Sequence, residues 1–289
     1  VAGAQERSLW RSLGQWAVLE PDPSERRLVG GMVEAAFVSF ESSEDRSFSP
    51  GLAAELWTMG LERDAAYWDP GGWPRGNAVA SAWTASQLLM HGFTWQSTRV
   101  ADGAWRQAGA EVPTNVLPAH LRRALYPLPE PILVREAAAA GGIDWSLVAG
   151  VAREESRWDP HALSAVGARG LVHLMPSTAV AVADASGLPP PSPDELFIAK
   201  LNLRLGAIEL GRLVDVFDGR WAPAVAAYNA GEVQARLWLD QCGPDCTSAL
   251  YLLNISFSST RSYTAGVLAA ATSYKELYGN NKHSSPISD

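Results

Sequence analysis

Helical periodicity is the feature that most constrains this chain. Apolar residues recur at three- and four-residue intervals along most of its length, and no stretch sustains the apolar–polar alternation of a half-buried strand. That pattern predicts an all-α protein. Prolines mark where the helices must stop, because a proline removes a backbone donor and biases its predecessor toward extended geometry. The stretch YPLPEP from Tyr126 to Pro131 is such a break, and GLPPPSP from Gly187 to Pro193 is a second. With 289 residues the chain is long enough for two domains. The first break therefore divides an α-helical region over 1–123 from a longer unit over 124–279, and residues 280–289 read as a frayed tail.

The N-terminal region holds eight of the twelve tryptophans. Within it, Leu56-Trp57, Gly60-Leu61 and Ala65 are echoed by Leu88-Leu89, Gly92-Phe93 and Ser97. Stacked helical hairpins produce such an echo, since a small residue lets paired helices approach while large ones fill between them. Chance similarity in a Trp- and Ala-rich helical sequence produces it too, and two copies leave both readings open.

A formal net charge of −8, with no run of Lys or Arg, excludes the electrostatic footprint of a nucleic-acid or anionic-membrane binder. No segment reaches the ~20 apolar residues of a membrane span. Val79 to Met90, among the longest candidates, is interrupted by Ser, Thr and Gln. The chain starts without Met, a basic segment or an apolar signal core, as expected if a targeting segment has been removed. Cys242 and Cys246 flank Gly-Pro-Asp, a turn-forming insert, so a bridge and a pair of free thiols are both open. Two thiolates without a nearby His pair do not complete a zinc site, and no cofactor is expected.

The chemistry concentrates between Ile143 and Ala179. Asp144 or Ser146 can cap a helix whose apolar stripe is Leu147, Val148, Val151 and Ala152, and extending that stripe lands on Glu155, not on Glu154. Glu155 also falls in the last turn before Asp159-Pro160, where the helix dipole disfavours negative charge. Desolvation and that dipole would together raise a carboxyl from ~4.3 toward the range of a general acid near neutrality. A Glu buried against an Arg or a backbone donor satisfies the same periodicity.

Three blocks decide between these readings. They are Glu155-Ser-Arg-Trp-Asp-Pro160; Ser164-Ala-Val-Gly167-Ala-Arg-Gly170-Leu171 followed by Met175-Pro176-Ser-Thr-Ala179; and Ala226-Ala-Tyr228-Asn229-Ala-Gly231. In that order and spacing they resemble the signature of the soluble lytic transglycosylases, the lysozyme-like enzymes that cleave bacterial peptidoglycan. The resemblance covers roughly residues 124–278. It implies a lysozyme-like catalytic domain preceded by an α-superhelical region, with Glu155 as sole catalytic acid/base and Ser164 as its hydrogen-bonding neighbour. It also implies that Gly167 and Gly170 allow close backbone approach, and that Met175, Tyr228 and Asn229 line the sugar groove. The expected reaction cleaves the MurNAc–GlcNAc bond and closes a 1,6-anhydro ring on MurNAc, a lyase reaction without metal or cofactor. Glycan strands are the expected partner, with a protein partner on the helical N-terminal region a further possibility. The bacterial envelope, and within it the periplasm, is the expected location. That oxidising setting favours the Cys242–Cys246 bridge.

The chain departs from the family pattern at several positions. His173 stands where relatives carry Gln, and Val172 where they carry Met. Neutral histidine has one donor and one acceptor and can replace the amide. A protonated His173 would instead stabilise ionised Glu155, which predicts weakened activity below about pH 6.5. In Leu253-Asn-Ile-Ser-Phe-Ser-Ser259-Thr-Arg261-Ser-Tyr263, Leu253 and Ser259 replace acids, whereas Arg261 and Tyr263 are retained as groove residues. Ser259 reads most simply as the cap of a helix over Arg261 to Tyr278. These losses keep two alternatives in view: a weakened homologue that binds glycan or protein without cleaving, and a lysozyme-type hydrolase using the same Glu.

Overall fold

In a computed structural model of the chain, the described residues are 78–90, 92–108, 117 and 119–279. They are α-helical, with two isolated bridges, Leu163 to Arg169 and Arg169 to Leu174, as the β-type pairing found among them. The chain divides between Pro127 and Leu128 into two compact units.

In the first unit, α1 (Ala78–Met90), α2 (Thr94–Ala108) and α3 (Ala119–Leu125) pack together. α1 and α2 form a hairpin turning at Gly92. Ser97 is fully buried and donates its hydroxyl to the Ala85 carbonyl at 2.7 Å. The small residue of the sequence echo thus sits where the two helices meet. The other copy of the echo, Leu56 to Ala65, lies outside the described residues, as does the tail over 280–289.

The second unit contains α4 (Pro131–Gly141), α5 (Trp145–Ser156), α6 (Pro176–Ala185), α7 (Ala199–Val216), α8 (Trp221–Ala230), α9 (Glu232–Cys242), α10 (Ser248–Asn254) and α11 (Ser258–Tyr278), with a 3₁₀ turn at Asp194–Phe197 before α7. Prolines at the first positions of α4 and α6 fit helix starts, where the missing N–H has no intrahelical partner to lose. Asp144 caps α5 by accepting the Ser146 amide at 2.9 Å, and its other oxygen pairs with Lys275 of α11 at 2.8 Å.

α5 is the centre of this unit. Leu147, Val148, Ala149, Val151 and Ala152 are all at most 1% exposed. Their small and branched side chains let α5 lie against α11, whose buried face includes Val267, Ala270 and Ala271. Trp158, just past α5, donates its indole N–H to the Tyr274 hydroxyl of α11 at 2.9 Å, so both ends of α5 are tied to the same helix.

One detail differs from expectation, and another agrees with it. α11 begins at Ser258, its cap position is Phe257, and Ser259 lies inside the first turn without a capping bond. Cys242 and Cys246 are joined as a disulfide, with Cα atoms 5.4 Å apart, closing the turn between α9 and α10.

Candidate active site

The site is built where α5 ends. Ser156, its last residue, hydrogen-bonds through its hydroxyl to the Ala152 carbonyl at 3.0 Å and to the Leu171 carbonyl at 2.8 Å, sharing one proton between them. The same oxygen accepts the Trp158 amide at 3.1 Å. Arg157 and Trp158 then turn the chain with φ of 54° and 69°, which halts the helix immediately after Glu155-Ser156. Glu155 is thereby left in the last turn, its side chain 14% exposed.

Facing it is the segment from Ala162 to Met175, which carries little regular structure and is held by residues distant in sequence. Asn202 of α7 has no solvent exposure; it accepts the Val172 amide and donates to the Arg169 carbonyl, each at 2.9 Å. Tyr228 of α8 donates its hydroxyl to the Val172 carbonyl at 2.9 Å. Gly170, with φ of 76°, passes so close to the Leu196 carbonyl and the Asn202 amide that a Cβ would overlap both. With its backbone fixed on three sides, this loop carries His173 at φ 45°, a left-handed conformation that costs a non-glycine residue about 1–2 kcal/mol. The outcome is a contact between His173 Nδ1 and Glu155 Oε2 of 2.9 Å, the histidine being 22% exposed.

Two tyrosines lie beside this pair. Burial above all, with added charge from Glu155 and Glu209, pushes the Tyr228 phenol well above its ordinary range. Tyr263 is shifted the same way, first by burial and then by Glu155. Its hydroxyl is buried beside the Glu155 carboxylate. Both phenols are therefore neutral at any physiological pH. Their hydroxyls face protein, so their expected place on the wall of a sugar groove is not borne by those oxygens.

On the open side of His173 lies a cavity of about 230 Å³ lined by His173, Met175, Tyr228, Glu209, Arg212 and Glu232, among others. Met175 is partly exposed at its mouth. Arg212 grips Glu209 with two bonds of 3.0 and 2.8 Å and reaches Glu232 at 3.2 Å, and these bonds hold its guanidinium above its ordinary pKa.

The remaining predicted residues are placed differently. Ser164 accepts the Ala168 amide at 2.9 Å inside its own turn, and Glu155 takes its side-chain hydrogen bond from His173 instead. Gly167 has φ of 91° but open space around it, so it serves a turn, whereas Gly170 does meet a close approach. Asn229 is exposed and accepts the Thr260 hydroxyl at 2.8 Å. Arg261 is exposed on the first turn of α11, and Leu253 is 72% exposed on α10. Among the described residues no cluster of His, Cys, Asp or Glu is placed to hold a metal ion, and no helix is long and apolar enough to cross a membrane.

Sequence reasoning passed over Asn202, Glu209 and Arg212. Asn202 had a faint signal, a polar residue within the apolar run of α7, and the Glu209/Arg212 pair had the i,i+3 spacing of a helical ion pair.

Comparison with known proteins agrees with this geometry. Residues 132–246 match the transglycosylase SLT domain family. The chain is 31% identical over 156 residues to the soluble lytic murein transglycosylase of Escherichia coli K12, an alignment covering 54% of this chain and 24% of the relative. It thus spans about a quarter of that relative's length. Among solved structures, the 70 kDa soluble lytic transglycosylase of E. coli superposes with a TM-score of 0.68 at 24% identity, covering 78% of this chain and 35% of the other. The lytic transglycosylase Slt of Pseudomonas aeruginosa, solved as an inactive Glu-to-Gln mutant, gives 0.65 at 26% identity with the same coverages. The fold is the lysozyme-like all-α arrangement of these proteins.

Proposed function

Taking residues 132–246 as a transglycosylase SLT domain, we propose that this protein is a peptidoglycan lytic transglycosylase with Glu155 as its single catalytic carboxyl. One observation carries the assignment: Glu155 stands at the end of α5, hydrogen-bonded through one oxygen to His173 beside an open cavity. The other carboxylates nearby are committed. Glu154 pairs with Arg153, and Glu209 and Glu232 pair with Arg212. A conventional glycosidase needs a second free carboxylate as base or nucleophile. With no such carboxylate beside Glu155 among the described residues, the substrate supplies the second group. Glu155 protonates the oxygen between MurNAc and GlcNAc while the sugar's N-acetyl carbonyl stabilises the anomeric carbon. The C6 hydroxyl then attacks, its proton returns to the Glu155 carboxylate, and a 1,6-anhydro ring closes. Leu174, Met175 and Tyr228 line the cavity beside His173. The substrate places the protein in the bacterial envelope, and the disulfide fits an oxidising periplasm.

The test is digestion of purified sacculi followed by mass analysis. Anhydro-muropeptides are the expected products. Reducing ends would replace this reading with hydrolysis, and binding without products would make the chain a glycan-binding homologue, for which exposed Leu253 in place of a groove acid is the favouring feature. Glu155→Gln removes the transferable proton at constant shape, and a rate loss of at least about 10²-fold is expected. Full activity of that variant would reject the assignment.

A further inference from the structure

We propose that His173 is a second catalytic residue, a proton relay that takes the proton of the attacking C6 hydroxyl and hands it to Glu155. The inference rests on the transglycosylase reading and adds the route by which the proton returns. Its basis is which ring nitrogen is engaged. Nδ1 faces Glu155 Oε2 at 2.9 Å, while the imidazole borders the cavity. A carboxylate holding Nδ1–H leaves the Nε2 lone pair free, the arrangement that makes a neutral imidazole a base toward a hydroxyl. A glutamine amide in this position could hold Glu155 but could not carry a proton.

The placement is also enforced. His173 adopts φ 45° because Ser156, Asn202 and Tyr228 fix the backbone of Leu171 and Val172 just before it, and the Arg169–Leu174 backbone pair fixes the residue after it. Strain held by surrounding bonds at a reacting group is a common mark of a functional position. Charged and titratable groups around the imidazole are Glu155 from α5, Glu209 and Arg212 from α7, Tyr228 from α8 and Glu232 from α9, with Tyr263 of α11 next to Glu155. Glu209 and Glu232 are neutralised by Arg212, and both tyrosines stay protonated, so Glu155 is the group with which His173 exchanges a proton.

The protons balance over one turnover. Protonated Glu155 gives its proton to the leaving glycosidic oxygen, and the C1–O bond breaks. Attack by O6 on C1 closes the anhydro ring as the O6 proton passes to His173 Nε2. Nδ1 then releases its proton to Glu155 Oε2. Glu155 is again protonated, the imidazole is again neutral with its proton on Nε2, and exchange with solvent resets the tautomer.

The test compares wild type with His173→Gln and His173→Ala on sacculi, with product masses, a pH–rate profile and thermal unfolding of each. The relay predicts unchanged anhydro products from His173→Gln at a rate reduced by roughly 10²-fold. Wild type should lose activity on the acid side as the imidazole protonates, and the variant should lack that limb. Added imidazole should restore His173→Ala in proportion to its neutral form. If His173→Gln melts early, His173→Asn, which tolerates left-handed backbone, takes its place. A variant with wild-type rate and profile overturns the relay. So does a slowed variant that keeps the acid limb and ignores imidazole, since that is what a structural role gives. Absence of anhydro products from wild type overturns the transglycosylase reading and the relay together, whereas anhydro products without the pH signature overturn the relay alone.

Discussion

Asn202 offers the sharpest test of how this site is held. Its side chain is fully buried, makes two hydrogen bonds of 2.9 Å, and both go to the loop that presents His173. Asn202→Ala removes both partners at once. The Val172 amide, on a residue only 2% exposed, loses its partner, whereas the Arg169 carbonyl keeps the Leu174 amide at 3.0 Å. The abandoned buried amide costs about 1–3 kcal/mol and sets the expected loss, at or above the ~1 kcal/mol of a typical substitution. Asn202→Asp separates the two bonds. The introduced carboxylate can still accept from Val172 but cannot donate to Arg169, and its charge is buried. Its folded-state pKa should rise above the ~3.9 of an unfolded aspartate. The penalty is then largest at neutral pH and shrinks as pH falls toward the unfolded value, because the protonated carboxyl is neutral and can donate. Urea unfolding at pH 7 and pH 4, alongside turnover of sacculi at pH 7, would read these effects. An Asn202→Ala protein within about 0.5 kcal/mol of wild type, or an Asn202→Asp penalty that does not shrink with acid, would refute the clamp.

Three further outcomes follow from the same structure. Gly170→Ala should cost more than about 2 kcal/mol, combining left-handed backbone strain with overlap onto the Leu196 carbonyl and Asn202, whereas Gly167→Ala, in open space, should cost only the ~1–2 kcal/mol of the backbone term; paired thermal melts would show whether the gap exists. At Asp144 burial opposes ionisation, but the bonds from Lys275 and Ser146 outweigh it and hold the carboxyl below its ordinary value, so its contribution is present above ~3.9 and fades as pH falls through the folded value. Asp144→Asn keeps a capping oxygen and removes the charge, so it should be less stable than wild type by under about 1 kcal/mol at pH 7 and indistinguishable at pH 2 in matched denaturant titrations. Replacing both Cys242 and Cys246 with Ser should lower stability by about 2 kcal/mol, the loop-entropy value for so short a ring; urea midpoints equal with and without the bridge would show that the turn between α9 and α10 is already fixed by packing.

Much of the molecule was legible in the sequence because it is encoded locally. The helical period and the Asp144 cap each depend on neighbours a few residues away. The same local stripe put Glu155 rather than Glu154 toward the site, and Glu154 indeed pairs with its neighbour Arg153. What the tertiary structure alone decided is the loop from Ala162 to Met175. It turns on backbone hydrogen bonds of its own, but its seat against α5 depends on donors and acceptors from Ser156, Asn202 and Tyr228, separated from their partners by 15, 30 and 56 residues. Because those bonds form only once α5, α7 and α8 have packed, no spacing rule could reveal that the Tyr228 and Tyr263 hydroxyls face inward or that His173 is the residue brought to Glu155.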